Sequence, residues 1–150
     1  MLPVQLKQLR PEAIMPEYKT LMAAGLDLAA AISSTIVLEP GAPATLIPTG
    51  IAVYIGDANY AYYLFPRSGK GHKEGVVLGN GTGVIDADYQ GEVMVSIYIH
   101  PGYPPVAISP GDRIAQMVFM PVERVEFSIV SDFHETSIRG AGGFGSTGAS

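Results

Sequence analysis

The 150-residue chain contains no cysteine. That removes disulfides, thiolate nucleophiles and cysteine-based zinc sites from consideration. Long apolar runs are missing as well. No stretch approaches the ~18 residues that a bilayer span requires, and the first ten residues, MLPVQLKQLR, lack the apolar segment of a secretory signal. The expected compartment is the cytoplasm, with no membrane partner. Positive charge is scarce: nine Lys and Arg stand against fourteen Asp and Glu, a net charge of −5. Such a chain repels polyanions, so nucleic acid is not an expected partner. A small phosphorylated substrate remains open, provided positive charge is concentrated locally. Three scattered histidines, His72, His100 and His134, make no zinc site.

Glycine and proline, by contrast, are plentiful, at 18 and 12 residues spread along the chain. This punctuation suits many short strands joined by tight turns and leaves little room for long helices. The length fits one domain with a single core. β-rich runs fall at 35–38, 44–47, 51–55, 60–65, 76–78, 93–99, 114–120 and 125–130. Turn formers separate them, among them Glu39-Pro40-Gly41, Pro48-Thr49-Gly50, Gly79-Asn80-Gly81 and Ser109-Pro110-Gly111-Asp112. Within 93–99 the period of two puts Val93, Val95, Ile97 and Ile99 on one face and Met94, Ser96 and Tyr98 on the other. Both faces are fairly apolar, which predicts burial on both sides, in a sandwich or at a subunit contact. Eight or more such strands predict an all-β jelly roll or closed barrel. One short helix is expected over 67–74, interrupted by Gly69 and Gly71. The end of the chain differs in kind: five of the ten residues 139–148 are glycine, and Phe144 is their only large side chain besides Arg139. The expected division is a folded domain over 1–138 and a flexible arm over 139–150, either idle or ordered by what it binds.

Several segments could carry chemistry. Arg67-Ser68-Gly69, followed by Lys70, His72 and Lys73, is the densest positive cluster in the chain. A guanidinium fork, a hydroxyl and an unobstructed glycine amide suit a phosphate clamp, and a solvated basic turn is the alternative. Gly83-Val84-Ile85-Asp86-Ala87-Asp88-Tyr89-Gln90-Gly91-Glu92 sets two aspartates and a tyrosine between β-rich runs. In a hairpin arm, alternation sends Asp86 and Asp88 to one side, where they could hold a metal or activate water; an ordinary Asp-rich turn is the alternative. Asn80 offers the donor and acceptor that a nucleobase edge requires, unless it is simply a turn asparagine. Arg113, in Gly111-Asp112-Arg113-Ile114-Ala115-Gln116, is expected to fasten the turn or an interface. Arg139-Gly140-Ala141-Gly142-Gly143-Phe144-Gly145-Ser146-Thr147-Gly148 reads either as an anion-binding strap with one stacking ring or as plain disorder.

The order of the pieces is more informative than any one. Ala24-Gly25-Leu26-Asp27-Leu28, Pro66-Arg67-Ser68-Gly69, the 83–92 segment, the 111–116 segment and the 139–148 segment together resemble the five-motif signature of the trimeric dUTPases, in the family's order. Gly71-His72-Lys73 and Val77-Leu78-Gly79-Asn80 resemble the bacterial branch. The resemblance implies a jelly-roll homotrimer whose three active sites each draw on all three chains. It implies Mg²⁺-dependent hydrolysis of dUTP to dUMP and pyrophosphate, which clears dUTP from the nucleotide pool and supplies dUMP for dTMP synthesis.

Residue by residue, the resemblance makes Asp86 the general base for water attacking the α-phosphorus. Asn80 and backbone groups of the hairpin from Gly83 through Val93 and Met94 would read uracil, and Tyr89 would pack under the deoxyribose and exclude a 2′-hydroxyl. Phe144 would stack on the base. Arg67, Ser68, Gly69 and Gln116 would hold the phosphates, with Arg139, Gly145, Ser146 and Thr147 closing over their far end. Mg²⁺ would be held mainly by the triphosphate, with Asp27 reaching it only through water. Ala29, Lys70 and Tyr98-Ile99-His100-Pro101 depart from the family's usual residues. Two competitors share the fold: a dCTP deaminase-like relative and a regulatory protein without turnover. The Ile85-Asp86-Ala87-Asp88-Tyr89 core and the complete strap argue against the first. The presence of every residue the family uses in catalysis argues against the second.

Overall fold

The computed structural model describes residues 1–135, 137, 138 and 140–142. Its elements run β1 (Gln5–Gln8), β2 (Leu26–Ala29), β3 (Ile36–Leu38), β4 (Thr45–Tyr54), β5 (Tyr60–Phe65), α1 (Ser68–Glu74), β6 (Val76–Leu78), β7 (Gly83–Ile85), β8 (Glu92–Ile99), β9 (Val106–Ile108) and β10 (Arg113–Pro121). Two four-stranded sheets, ordered β1-β4-β8-β6 and β2-β10-β5-β7, are joined by the pair β3-β9. Every pairing is antiparallel. This is the all-β jelly-roll architecture expected from the turn-rich sequence.

The core lies between the sheets and follows from side-chain alternation. Val93, Val95, Ile97 and Ile99 of β8 are each at most 1% exposed, and they meet Leu28, Tyr62, Leu64, Ile114 and Met117 from the second sheet. Burying each such side chain contributes roughly 1.5–3 kcal/mol. The other face of β8, with Met94, Ser96 and Tyr98, is half-buried in the single chain. α1 ends as its sequence directs: Gly75 takes the left-handed conformation at φ 66°, and its N–H returns to the Gly71 carbonyl.

Two expectations need correction. Pro48-Thr49-Gly50 is not a turn, because it lies inside β4. The register slips there, from Pro48 opposite Met94 to Ala52 opposite Glu92. A β-bulge houses both the proline and Gly50 at φ 72°, while the Thr49 hydroxyl donates to the Val93 carbonyl at 2.6 Å. The β-rich run 125–130 forms no strand. Val125, Phe127 and Ile129 are 70%, 86% and 100% exposed, and a strand needs an edge to pair with, which this segment does not meet among the described residues. Four strands lack a sequence signal of their own. β1 (QLKQ) has no apolar alternation, β7 and β9 are three residues each, and β2 stood out only as part of a motif.

Candidate active site

Three of the sequence segments converge on one row across the second sheet. Asp27 of β2 pairs with Gln116 of β10, which pairs with Phe65 at the end of β5. The chain then turns through Pro66 into Arg67, the N-cap residue of α1. Arg67 donates Nε–H to Asp27 Oδ1 at 2.8 Å, and Arg113 donates from Nη1 to Asp27 Oδ2 at 2.9 Å. Gln116 donates Nε2–H to the Pro66 carbonyl at 3.1 Å, fixing the turn that presents Arg67. Arg113 therefore fastens the site itself, which refines its expected role in the turn. Arg67 uses only Nε on Asp27, so its terminal amino groups have no partner among the described residues. Ser68 and Gly69 are exposed, and a side chain added at Gly69 would meet only open space. The cluster has the shape of an anion clamp: a forked cation braced by a carboxylate, beside a hydroxyl and an accessible amide. Of the departures in sequence, Ala29 is buried in the core opposite Arg113, and Lys70 pairs with Glu74 of its own helix at 3.1 Å.

The second cluster is the β7–β8 hairpin. Asp86 does not follow strand alternation, because β7 ends at Ile85 and residues 86–89 form a turn closed by the Tyr89 N–H to the Asp86 carbonyl at 3.2 Å. Asp86 and Asp88 nonetheless line one open cleft of about 580 Å³, with Tyr54, Tyr60, Tyr63 and Arg124. On its other side Asp86 shares a smaller cleft of about 260 Å³ with Tyr89, Glu92, Val93 and Met94. Gly83 is buried against Leu64, whose side chain a Cβ would approach to 3.0 Å. Asn80 is exposed in the turn before β7, which is closed by the Gly81 N–H to the Leu78 carbonyl. Tyr89 donates its hydroxyl to the Glu92 carbonyl at 3.0 Å, and its ring covers Gly91 so closely that a Cβ there would lie 2.4 Å from the phenol oxygen.

Glu92 is a residue that sequence reading passed over. Its carboxylate accepts from Arg10 Nε at 2.7 Å, from Arg10 Nη2 at 3.0 Å and from the Gly50 N–H at 2.9 Å. The Arg10 fork holds Glu92 below its ordinary pKa; burial opposes this shift and the Gly50 N–H reinforces it. Arg10 lies 82 positions from Glu92, so no local spacing signals the pair.

The two clusters stand far apart in a single chain. Asp27 is on the first strand of the β2-β10-β5-β7 sheet, whereas Asp86 follows the last, level with Ala61 and four residues along β5 from Phe65. Strand spacing and rise put their backbone positions about 20 Å apart. Arg139, Phe144, Gly145, Ser146 and Thr147 lie outside the described residues. Among the described residues no three His, Asp or Glu side chains cluster as metal ligands. Asp27 has one oxygen on each arginine, which leaves acceptor capacity for water but no all-protein cage. Two arginines against one carboxylate leave the cluster net positive, so it holds no cation alone and could meet one only where phosphates carry it.

Comparison with known proteins identifies the family. The dUTPase family model matches residues 11–148. A deoxyuridine 5′-triphosphate nucleotidohydrolase of Hahella chejuensis is 55% identical over 142 residues, covering 95% of this chain and 91% of the relative. One from Paraburkholderia phytofirmans is 53% identical over 134 residues, covering 89% and 88%. Among solved structures, a Staphylococcus bacteriophage 80α dUTPase with dUpNHpp superposes with a TM-score of 0.88 at 31% identity, covering 99% of this chain and 100% of the other. A phage φ11 dUTPase, described with a structural Mg(II) ion, superposes at 0.79 with 30% identity, covering 89% and 99%. The chain belongs to the dUTPase family.

Proposed function

We infer that this protein hydrolyses dUTP to dUMP and pyrophosphate, with Asp86 as the general base. The observation that carries the assignment of residues is the cleft at the β7–β8 hairpin, where Asp86, Tyr89, Val93 and Met94 surround one space. Asn80 and the hairpin backbone from Gly83 read the uracil edge. Donors and acceptors that the bound base covers reject a mismatched base far more strongly than an apolar slot does. Tyr89 lies against the sugar and leaves no room for a 2′-hydroxyl. Asp86 orients the attacking water and takes its proton, a contribution of ~10²–10⁴ in rate. Arg67, Ser68, Gly69 and Gln116 hold the phosphates. Arg139, Gly145, Ser146 and Thr147 of the 139–150 arm close over them, and Phe144 stacks on the base. The leaving pyrophosphate gains negative charge where Arg67 and Arg139 converge.

Mg²⁺ is the cofactor, carried by the triphosphate with Asp27 reaching it through water. When bound, it neutralises charge developing on the phosphate oxygens. The unit of function is a homotrimer whose sites combine the clamp of one copy, the hairpin of a second and the arm of a third. The spacing of about 20 Å between Asp27 and Asp86, set by strand geometry, supports a shared site. The exposed apolar residues Val125, Phe127 and Ile129 support burial against another copy. No helix among the described residues is long and apolar enough to cross a membrane, and we place the reaction in the cytoplasm. The test is product analysis with dUTP, UTP, dCTP and dTTP, each with and without Mg²⁺. Pyrophosphate should be released from dUTP alone, and only with the metal. Ammonia from dCTP would instead indicate a deaminase.

A further inference from the structure

Three segments distant in sequence meet at Glu92. It opens β8 directly after the Asp86–Tyr89 turn and pairs with Ala52, just past the bulge in β4. Its side chain binds the Arg10 fork and the Gly50 N–H. The Gly50 carbonyl in turn accepts from the N–H groups of Leu9 at 2.7 Å and Arg10 at 3.3 Å. Gly50 can turn both of its polar groups toward these partners because it has φ 72°. Any Cβ at that position would sit 2.6 Å from the Ala13 methyl. The knot therefore couples the N-terminal segment, the β4 bulge and the exit of the hairpin.

The main chain of Glu92 has a second task, since its carbonyl accepts the Tyr89 hydroxyl at 3.0 Å. One residue thus ties the N-terminal segment through its side chain and Tyr89 through its backbone. We propose that Arg10 and Glu92 are positioning residues for sugar selectivity, fixing the Tyr89 ring where it excludes a 2′-hydroxyl. The proposal rests on the role given to Tyr89 above. Arg10 is half-exposed, and such ion pairs contribute little to global stability. The bidentate fork with its third, backbone donor does restrict geometry, however. Steric exclusion of a single hydroxyl depends on small displacements of the ring, so loosening the knot should show in selectivity before it shows in folding.

The test is kcat/KM for dUTP and for UTP, with Tm, measured on the full-length protein and on Tyr89→Ala, Arg10→Ala, Arg10→Lys, Glu92→Gln and Leu6→Ala. Leu6 lies on β1 opposite Val53 and takes no part in the hydrogen bonds of the knot, so its truncation loosens the N-terminal strand while leaving those bonds in place. Arg10→Ala and Glu92→Gln should lower the dUTP:UTP ratio several-fold, chiefly through better use of UTP. Arg10→Lys should retain part of the selectivity, and Leu6→Ala should lower Tm while keeping the ratio. If Tyr89→Ala lowers the ratio while the Arg10 and Glu92 variants keep the wild-type value, the positioning role is wrong and that of Tyr89 stands. An unchanged ratio in Tyr89→Ala overturns both. Loss of selectivity in Leu6→Ala matching that in Arg10→Ala would reduce the effect to general loosening of the N-terminal strand.

Discussion

Tyr62 is completely buried between the sheets, its ring 5.5 Å from that of Phe119, and its hydroxyl has no hydrogen-bond partner among the described residues. Burial pushes its pKa far up, with a smaller contribution from Tyr89, so the group stays neutral throughout the working range. A buried hydroxyl without a partner costs about 1–3 kcal/mol relative to an apolar replacement of the same shape. Tyr62→Phe should therefore raise stability, read as a higher denaturation midpoint in urea at fixed protein concentration. A lower midpoint would mean that the hydroxyl is satisfied. Asp86→Asn tests chemistry at the same scale. The amide keeps the shape but cannot accept the proton of water, so kcat should fall ~10²-fold or more with the fold unchanged. Near-wild-type kcat would remove Asp86 from the role of base. At this scale the sequence singled out Asp86, Arg67 and Gln116 through their motifs, and the structure brings Gln116 to the turn that presents Arg67. It was silent on Arg10 and Glu92, whose meeting depends on a bulge and two strand pairings rather than on any spacing along the chain.

Between elements, the β4 bulge is a demanding point. Gly50→Ala would force a side chain into left-handed backbone and against Ala13 and Ala31, which a Cβ would approach to 2.6 and 3.0 Å. The cost should be about 1–3 kcal/mol from the backbone alone, with the contact adding to it. Equilibrium unfolding reads this directly, and wild-type stability would show that the bulge relaxes. The knot at Glu92 also makes stability depend on pH. Its folded pKa is lowered by Arg10, so its contribution is fully present above the ordinary value of 4.5 and is lost as pH falls through the folded value. Glu92→Gln should therefore flatten the stability profile below that ordinary value, and an unchanged acid limb would mean the pair contributes nothing. Periodicity made β8 legible, because its alternating valines and isoleucines are the core. It misread Pro48-Thr49-Gly50, since a bulge uses the same residues as a turn. It also misread 125–130, whose apolar alternation is real but finds no edge to pair with among the described residues.

In the whole molecule, the proposed trimer would bring together two clusters whose backbone positions lie about 20 Å apart by strand spacing. Under the proposed function, deleting 139–150 should leave a trimer that still binds nucleotide but turns over very slowly, because the proposed role of the segment is to bring Arg139 to the phosphates. Sedimentation together with single-turnover kinetics checks both halves of this expectation, and full activity after truncation would make the segment idle. The central claim is water attack at the α-phosphorus of dUTP, and isotope placement tests it most directly. With wild-type protein, dUTP and Mg²⁺ in ¹⁸O-water, the label should appear in dUMP and not in pyrophosphate. Label in pyrophosphate, or no release of pyrophosphate from dUTP, would contradict the account.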